Sequence, residues 1–189
     1  MLIANDKHRV NGGKMAKNQS VKGNFIYNNI EKKDKNFMYK NLERSNCYNC
    51  DFSGSNFDFT SFRGAHFKSS DFFRCSFKWA EFIGTNLKES SFKNAVFENA
   101  IFDSVKLEGV NFKDATFTNT IFVSTDLTKA KNLNLLNTEI RVFNEPPQIK
   151  ISDDLSAAAF NAIQNKHIKD ARILDMKDGS LNILNLMWD

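Results

Sequence analysis

The chain is short of the residues that punctuate most folds. Its 189 residues include two prolines and eight glycines. No apolar run approaches the ~18 residues that a membrane-spanning helix needs. The first twenty residues, MLIANDKHRVNGGKMAKNQS, lack the apolar centre of a secretory signal, so a cytoplasmic location is expected. Cysteine is scarce and odd in number: Cys47, Cys50 and Cys75. That count argues against a disulfide scaffold. Cys47 and Cys50 have the spacing of a redox or metal half-site, yet no second pair exists and only three histidines are present, His8, His66 and His167. A zinc site needs about four ligands, so no metal or cofactor is expected. Glycine-rich phosphate loops, HExxH and GxSxG are all missing, and a protein without enzymatic activity is expected.

Charge is small in total and uneven in placement. The net charge is +4. Residues 1–49 hold ten Lys/Arg and four Asp/Glu, residues 50–130 hold nine and ten, and residues 131–189 hold seven and eight. The basic excess therefore lies in the N-terminal segment. Residues 1–24 read as a disordered basic tail. A basic excess confined to a flexible tail is weak ground for nucleic-acid recognition, and direct nucleic-acid binding is not expected. Met15 follows Gly12-Gly13-Lys14 and is an alternative start.

What the chain has in abundance is phenylalanine, nineteen against two Trp and three Tyr. Every fifth residue from 52 is large and apolar: Phe52, Phe57, Phe62, Phe67, Phe72, Phe77, Phe82, Leu87, Phe92, Phe97, Phe102, Leu107, Phe112, Phe117, Phe122 and Leu127. Two residues before each of these, from Cys50 to Thr125, stands a small or β-branched residue. Helices repeat at about 3.6 residues and strands at about 2, so neither accounts for a period of five. A chain that turns a corner every five residues does. One large and one small side chain per unit point inward as structural core, and the other three face water. Cys47 falls in the large column and Cys50 and Cys75 in the small one, which reads as buried filling.

The units Ser55–Phe59 (SNFDF), Thr85–Glu89 (TNLKE), Ala95–Asn99 (AVFEN), Val110–Asp114 (VNFKD) and Thr125–Lys129 (TDLTK) resemble the pentapeptide-repeat family. The resemblance covers about residues 50–130. It implies an all-β solenoid, a right-handed, four-sided β-helix with four repeats per coil. Twenty residues per coil make about four to five coils, each rising ~4.8 Å. Phe37, Leu42 and Cys47 keep the phase with poorer small positions, so residues 25–49 read as an N-terminal cap and degraded first coil.

Residues 131–189 read as a small α+β module. Leu133, Leu135 and Leu136 leave the phase, and Pro146-Pro147 marks a turn or extended passage. A helix is expected from Ser152 or Asp153, and a hairpin about Asp178-Gly179. Such a module is a candidate cover for an open sheet end and a candidate homodimer interface.

The expected function is a scaffold for protein–protein interaction, with the partner unknown. Family resemblance adds an alternative: some members resemble duplex DNA, bind type II topoisomerases and protect them from quinolones. That mimicry requires a strongly acidic surface. Here Lys68, Arg74, Lys78, Lys88, Lys93 and Lys113 interrupt the acids. An exported bacterial effector is a further alternative. The candidate contact is one apolar strip of six outward residues: Phe59, Trp79, Ile83, Ile101, Ile121 and Val123. Phe59 and Trp79 stand two after a central ring, twenty residues apart, and Ile101 and Ile121 are also twenty apart. Such a patch marks a contact with a partner or with the chain's own C-terminal module, where Leu184, Leu186 and Trp188 are available.

Overall fold

A computed structural model describes residues 25–146, 152–162 and 164–165. The five-residue unit is a turn. In the unit beginning at Phe52, the Ser55 N–H donates to the Phe52 carbonyl at 3.1 Å, and the same bond joins Cys75 to Phe72 at 3.1 Å. The residue before each small residue takes positive φ. This holds at every fifth residue from Asn29 to Ser124, with φ from 44° to 73°. A positive φ at the third turn position is the type II arrangement. It turns the chain sharply inside five residues, which explains why neither a helix nor a long strand forms.

Four such turns close a square, and the next coil stacks on it in parallel. Where a side is straighter it forms a short strand. One sheet stacks β1 (Ile26–Asn28), β2 (Asn46–Tyr48) and β3 (His66–Lys68). A second stacks β4 (Glu81–Ile83), β6 (Ile101–Asp103), β8 (Thr120–Val123) and β9 (Ile140–Phe143). A third pairs β5 (Val96–Glu98) with β7 (Thr116–Thr118). All pairings are parallel, as in Ile26 with Asn46 and Ile101 with Ile121. Single bridges with the same offset fill the remaining sides, from Glu31 with Asp51 to Asn111 with Lys131. The result is a parallel β-solenoid of about six turns with a single short helix, α1 (Asp153–Ala162), among the described residues.

The interior is a stack of rings. Phe62, Phe82, Phe102 and Phe122 lie face to face at 4.7, 4.6 and 4.5 Å. Phe97 lies between Phe77 and Phe117 at 5.1 and 5.0 Å. Neighbouring columns meet edge to face, as Phe52 and Phe57 do at 5.7 Å and 77°. Both arrangements suit the aromatic quadrupole. Small residues at the corners have a second task. Thr60, Thr85 and Ser90 donate their hydroxyls to the carbonyls of Phe37, Phe62 and Phe67 in the coil beneath, at 2.9, 2.8 and 2.5 Å. At Phe37 and Phe62 this is a second bond, since the turn N–H groups of Lys40 and Ala65 already reach the same carbonyls at 3.1 and 2.9 Å.

The backbone ladder outruns the side-chain pattern at both ends. Residues 25–49 form a full coil, with Phe37, Leu42 and Cys47 buried. Lys32 replaces the inward ring there and lays its ammonium over Tyr27, 5.5 Å from the ring centre. At the other end β9 pairs with β8, so the twenty-residue offset holds to Phe143. Asn132 and Asn137 stand where rings stood one coil earlier, and Asn137 donates to the Phe117 carbonyl at 3.2 Å. Terminal coils have one bare side, so polar side chains are tolerated at these positions: Asn137 satisfies a backbone carbonyl, and Asn132 is exposed and donates to the Asn111 side chain at 2.8 Å. The expected hairpin about Asp178-Gly179 and the basic tail 1–24 lie outside the described residues.

Candidate interaction surface

The corner positions set what the rod displays. A left-handed backbone crowds a side chain's Cβ, so such positions favour Gly, Asn and Asp and disfavour β-branched residues. No Val, Ile or Thr occupies any of the corners between Asn29 and Ser124. Three corners carry instead a bulky aromatic: Tyr39, Phe59 and Trp79, with φ of 59°, 57° and 57°. They belong to successive coils and stack. Tyr39 and Phe59 are 4.9 Å apart at 21°, and Phe59 and Trp79 are 6.5 Å apart at 6°. All three are exposed, at 70%, 45% and 42%. The same corner continues as an amide ladder. Asn119 donates to Asn99 at 2.7 Å, and Arg141 donates to Asn119 at 2.9 Å.

Tyr39 was absent from the sequence-derived strip. Its signal was available, since it stands twenty residues before Phe59, but Lys35 and Lys40 spoil the small column around it. The ladder has a rigid footing. Asp58, buried beside Phe59, accepts from the Ser76 hydroxyl at 2.6 Å and the Lys78 N–H at 2.8 Å. That carboxylate locks the Phe59 coil to the Trp79 coil.

The other four strip residues lie on the side next to this corner, and they differ from the aromatic pair. Ile83 is half-buried. Ile101, Ile121 and Val123 point outward but are buried, at 2%, 0% and 0%. They form an apolar cluster separate from the ring core, with Phe143 packed against it. The six residues thus occupy one corner and the adjoining side, with the corner exposed, Ile83 half-buried and the other three buried. Below the cluster, Arg63 lies between Glu43 and Glu81 at 3.9 and 3.8 Å.

All three cysteines are free and buried. Burial pushes the Cys75 thiol up to about 12. Cys47 and Cys50 share a hydrogen bond, which together with burial pushes Cys47 well above the ordinary thiol range. Among the described residues, no group of three or more His, Cys, Asp or Glu is placed to hold a metal ion. No described helix is long and apolar enough to cross a membrane.

The family model for pentapeptide repeats, eight copies, matches residues 41–78 of this wall. The repeats of this wall are pentapeptide repeats. A second model, the SV2A/B/C luminal domain, matches residues 74–141, so the two together span residues 41–141 of the solenoid. Pentapeptide-repeat proteins recur among similar solved structures. One from the cyanobacterium Cyanothece 51142 is 12% identical, with 67% of this chain and 93% of that one covered and a TM-score of 0.43. One from the thylakoid lumen of Arabidopsis thaliana is 17% identical, covering 84% and 88%, with a TM-score of 0.25. Full-length QnrB1, a plasmid-mediated fluoroquinolone resistance protein, is 13% identical, covering 75% and 99%, with a TM-score of 0.16. No curated protein sequence matches the chain.

Proposed function

We propose that this protein is a non-catalytic scaffold that holds a protein partner along the Tyr39–Phe59–Trp79 corner. The observation that carries the reading is the aromatic ladder in left-handed corners. Each bulky residue there costs about 1–2 kcal/mol in backbone strain. Ring stacking returns about 0.5–1.5 kcal/mol per pair. Asparagine or glycine fills the same corners elsewhere at less strain. Exposed aromatics kept in strained positions fit a contact better than they fit stability. A reducing compartment such as the cytoplasm fits the three unpaired thiols.

Topoisomerase binding by charge mimicry fits less well. Residues 50–130 carry nine basic and ten acidic residues, too near balance to copy a phosphate backbone. The test of the scaffold reading replaces Tyr39, Phe59 and Trp79 by asparagine, which extends the amide ladder of Asn99 and Asn119 along the whole corner. Tagged parent and triple variant are each used to capture proteins from the native host. The expected result is a protein held by the parent and lost from the variant at an unchanged melting temperature. Identical captures by both would remove the corner as the contact.

A further inference from the structure

Two cysteines share one corner of the solenoid. From Phe37 to Leu127, every fifth residue is Phe or Leu with one exception, Cys47. The next small inward residue, across the corner, is Cys50. Cysteine at a small position is ordinary filling, as at Cys75. Cysteine in the large column is not, because it gives up apolar burial that Phe67 provides one coil above. Packing alone therefore favours leucine at 47. What the cysteine adds is a neighbour of its own kind. The chain bends at Asn49, with φ 51°, and the two buried thiols share a hydrogen bond. Cys75 instead points its thiol at the Phe52 carbonyl, at 3.1 Å.

We infer that Cys47 and Cys50 are an oxidisable dithiol, which hydrogen peroxide closes to a disulfide within the folded solenoid. Two thiols in hydrogen-bond contact on either side of a sharp bend are near the separation that a disulfide bridges. The Cys47 hydrogen bond, acting against burial, holds the Cys50 thiol below its ordinary range, so Cys50 is the sulfur that attacks. Its thiolate takes one peroxide oxygen. An S–O bond forms, the O–O bond breaks, and the released hydroxide leaves as water with the proton that the thiol gave up. Cys47 then attacks the Cys50 sulfenic acid. The S–S bond forms, the S–O bond breaks, and hydroxide leaves as water with the Cys47 proton. Two thiols and one peroxide become one disulfide and two waters, and a dithiol reductant reverses the change. Position along the rod gives the peroxide its route. Beneath Cys47 lies Tyr27 and beneath Cys50 lies Ile30, both half-buried in the outermost described coil. That coil carries Lys32 in place of a ring, so it is packed less well than the coils above it and opens at lower cost. Cys75 lies a further coil inward. The dithiol is independent of the aromatic corner and of any partner held there.

The test treats the folded full chain with hydrogen peroxide, alkylates the remaining thiols in denaturant, and reads the tryptic peptides by mass. Cys47 and Cys50 share the peptide 45–63, bounded by Arg44 and Arg63, and Cys75 lies in the peptide 75–78. Without peroxide, the first peptide should carry an alkyl group on each cysteine. With peroxide, it should carry neither and be lighter by one hydrogen per cysteine than the reduced peptide. Dithiothreitol before alkylation should restore both alkyl groups, and the far-UV spectrum of the solenoid should not change throughout. Cys75 should oxidise at least about tenfold more slowly, because it lies deeper and has no second thiol to resolve a sulfenic acid. A 45–63 peptide that keeps both alkyl groups would overturn the inference. So would a disulfide that forms only in denaturant, or a Cys75 that oxidises as fast as the pair.

Discussion

At the scale of the residue, position within the five-residue unit decides the energetics. Phe97 is fully buried between two stacked rings, and its neighbour Glu98 is a surface residue paired with Lys78 at 2.7 Å. Phe97→Ala is expected to cost about 3–5 kcal/mol through lost burial and a cavity. Glu98→Ala should cost about 0.5 kcal/mol, the ordinary value of an exposed ion pair. Denaturant melts of the two variants check the contrast, and equal losses would deny the inward assignment. Cys75 adds a dependence on pH. Its thiol is held up to about 12 in the fold against an ordinary value of 9.0. A raised value means that the stabilisation is complete below the unfolded thiol's range and fades as pH climbs through it. The unfolded chain alone loses the proton there. Between pH 8 and 10 the parent should therefore lose about 1.4 kcal/mol more than Cys75→Ala does. Parallel melts of the two proteins at both pH values would show the difference, and coincident slopes would mean that the folded thiol ionises normally.

At the scale of the element, the left-handed corner is the rule that the sequence states least openly. The inward columns were legible because they use few residue types at a fixed spacing. The corner column uses many types, among them Gly, Asn, Asp, Ser, Arg, Glu and three aromatics. What they share is the absence of β-branching, which a search for apolar periods does not detect. Asn94, at φ 57°, tests the rule. Asn94→Val should be less stable than Asn94→Gly by about 1–2 kcal/mol, although Asn94 is exposed and lies outside the ring core. Equal stabilities would show that the corner has room for a branched side chain. Both ends of the ladder were harder to read for a related reason. Lys32, Asn132 and Asn137 hold inward places without being apolar, so the coils 25–49 and 131–143 are visible in backbone pairing but faint in side-chain pattern. The strip was legible as six positions on one corner and the adjoining side. Its division into an open aromatic corner and a buried aliphatic side was not, because the five-residue pattern marks all six positions alike as outward.

At the scale of the whole molecule, a near-neutral rod makes a prediction that charge alone carries. In a supercoiling assay with DNA gyrase and a quinolone, saturating amounts of this protein should give no protection. Protection would mean that mimicry does not need a strongly acidic surface. The same rod is quasi-one-dimensional: each coil rests on the next, and no coil has a core of its own. One turn is twenty residues, and the aromatic corner, the aliphatic side and the ring columns all depend on that number. Deleting residues 81–100 joins Ala80 to Ile101 and keeps all four columns in phase. Deleting residues 81–98 joins Ala80 to Asn99 and throws every later ring out of its column. Thermal unfolding of these two chains, monitored by far-UV circular dichroism, tests the coil most directly. A solenoid of twenty-residue turns predicts a cooperative melt for the twenty-residue deletion and loss of the transition for the eighteen-residue one. Equal melts from both chains, or a lost transition in the first alone, would contradict it.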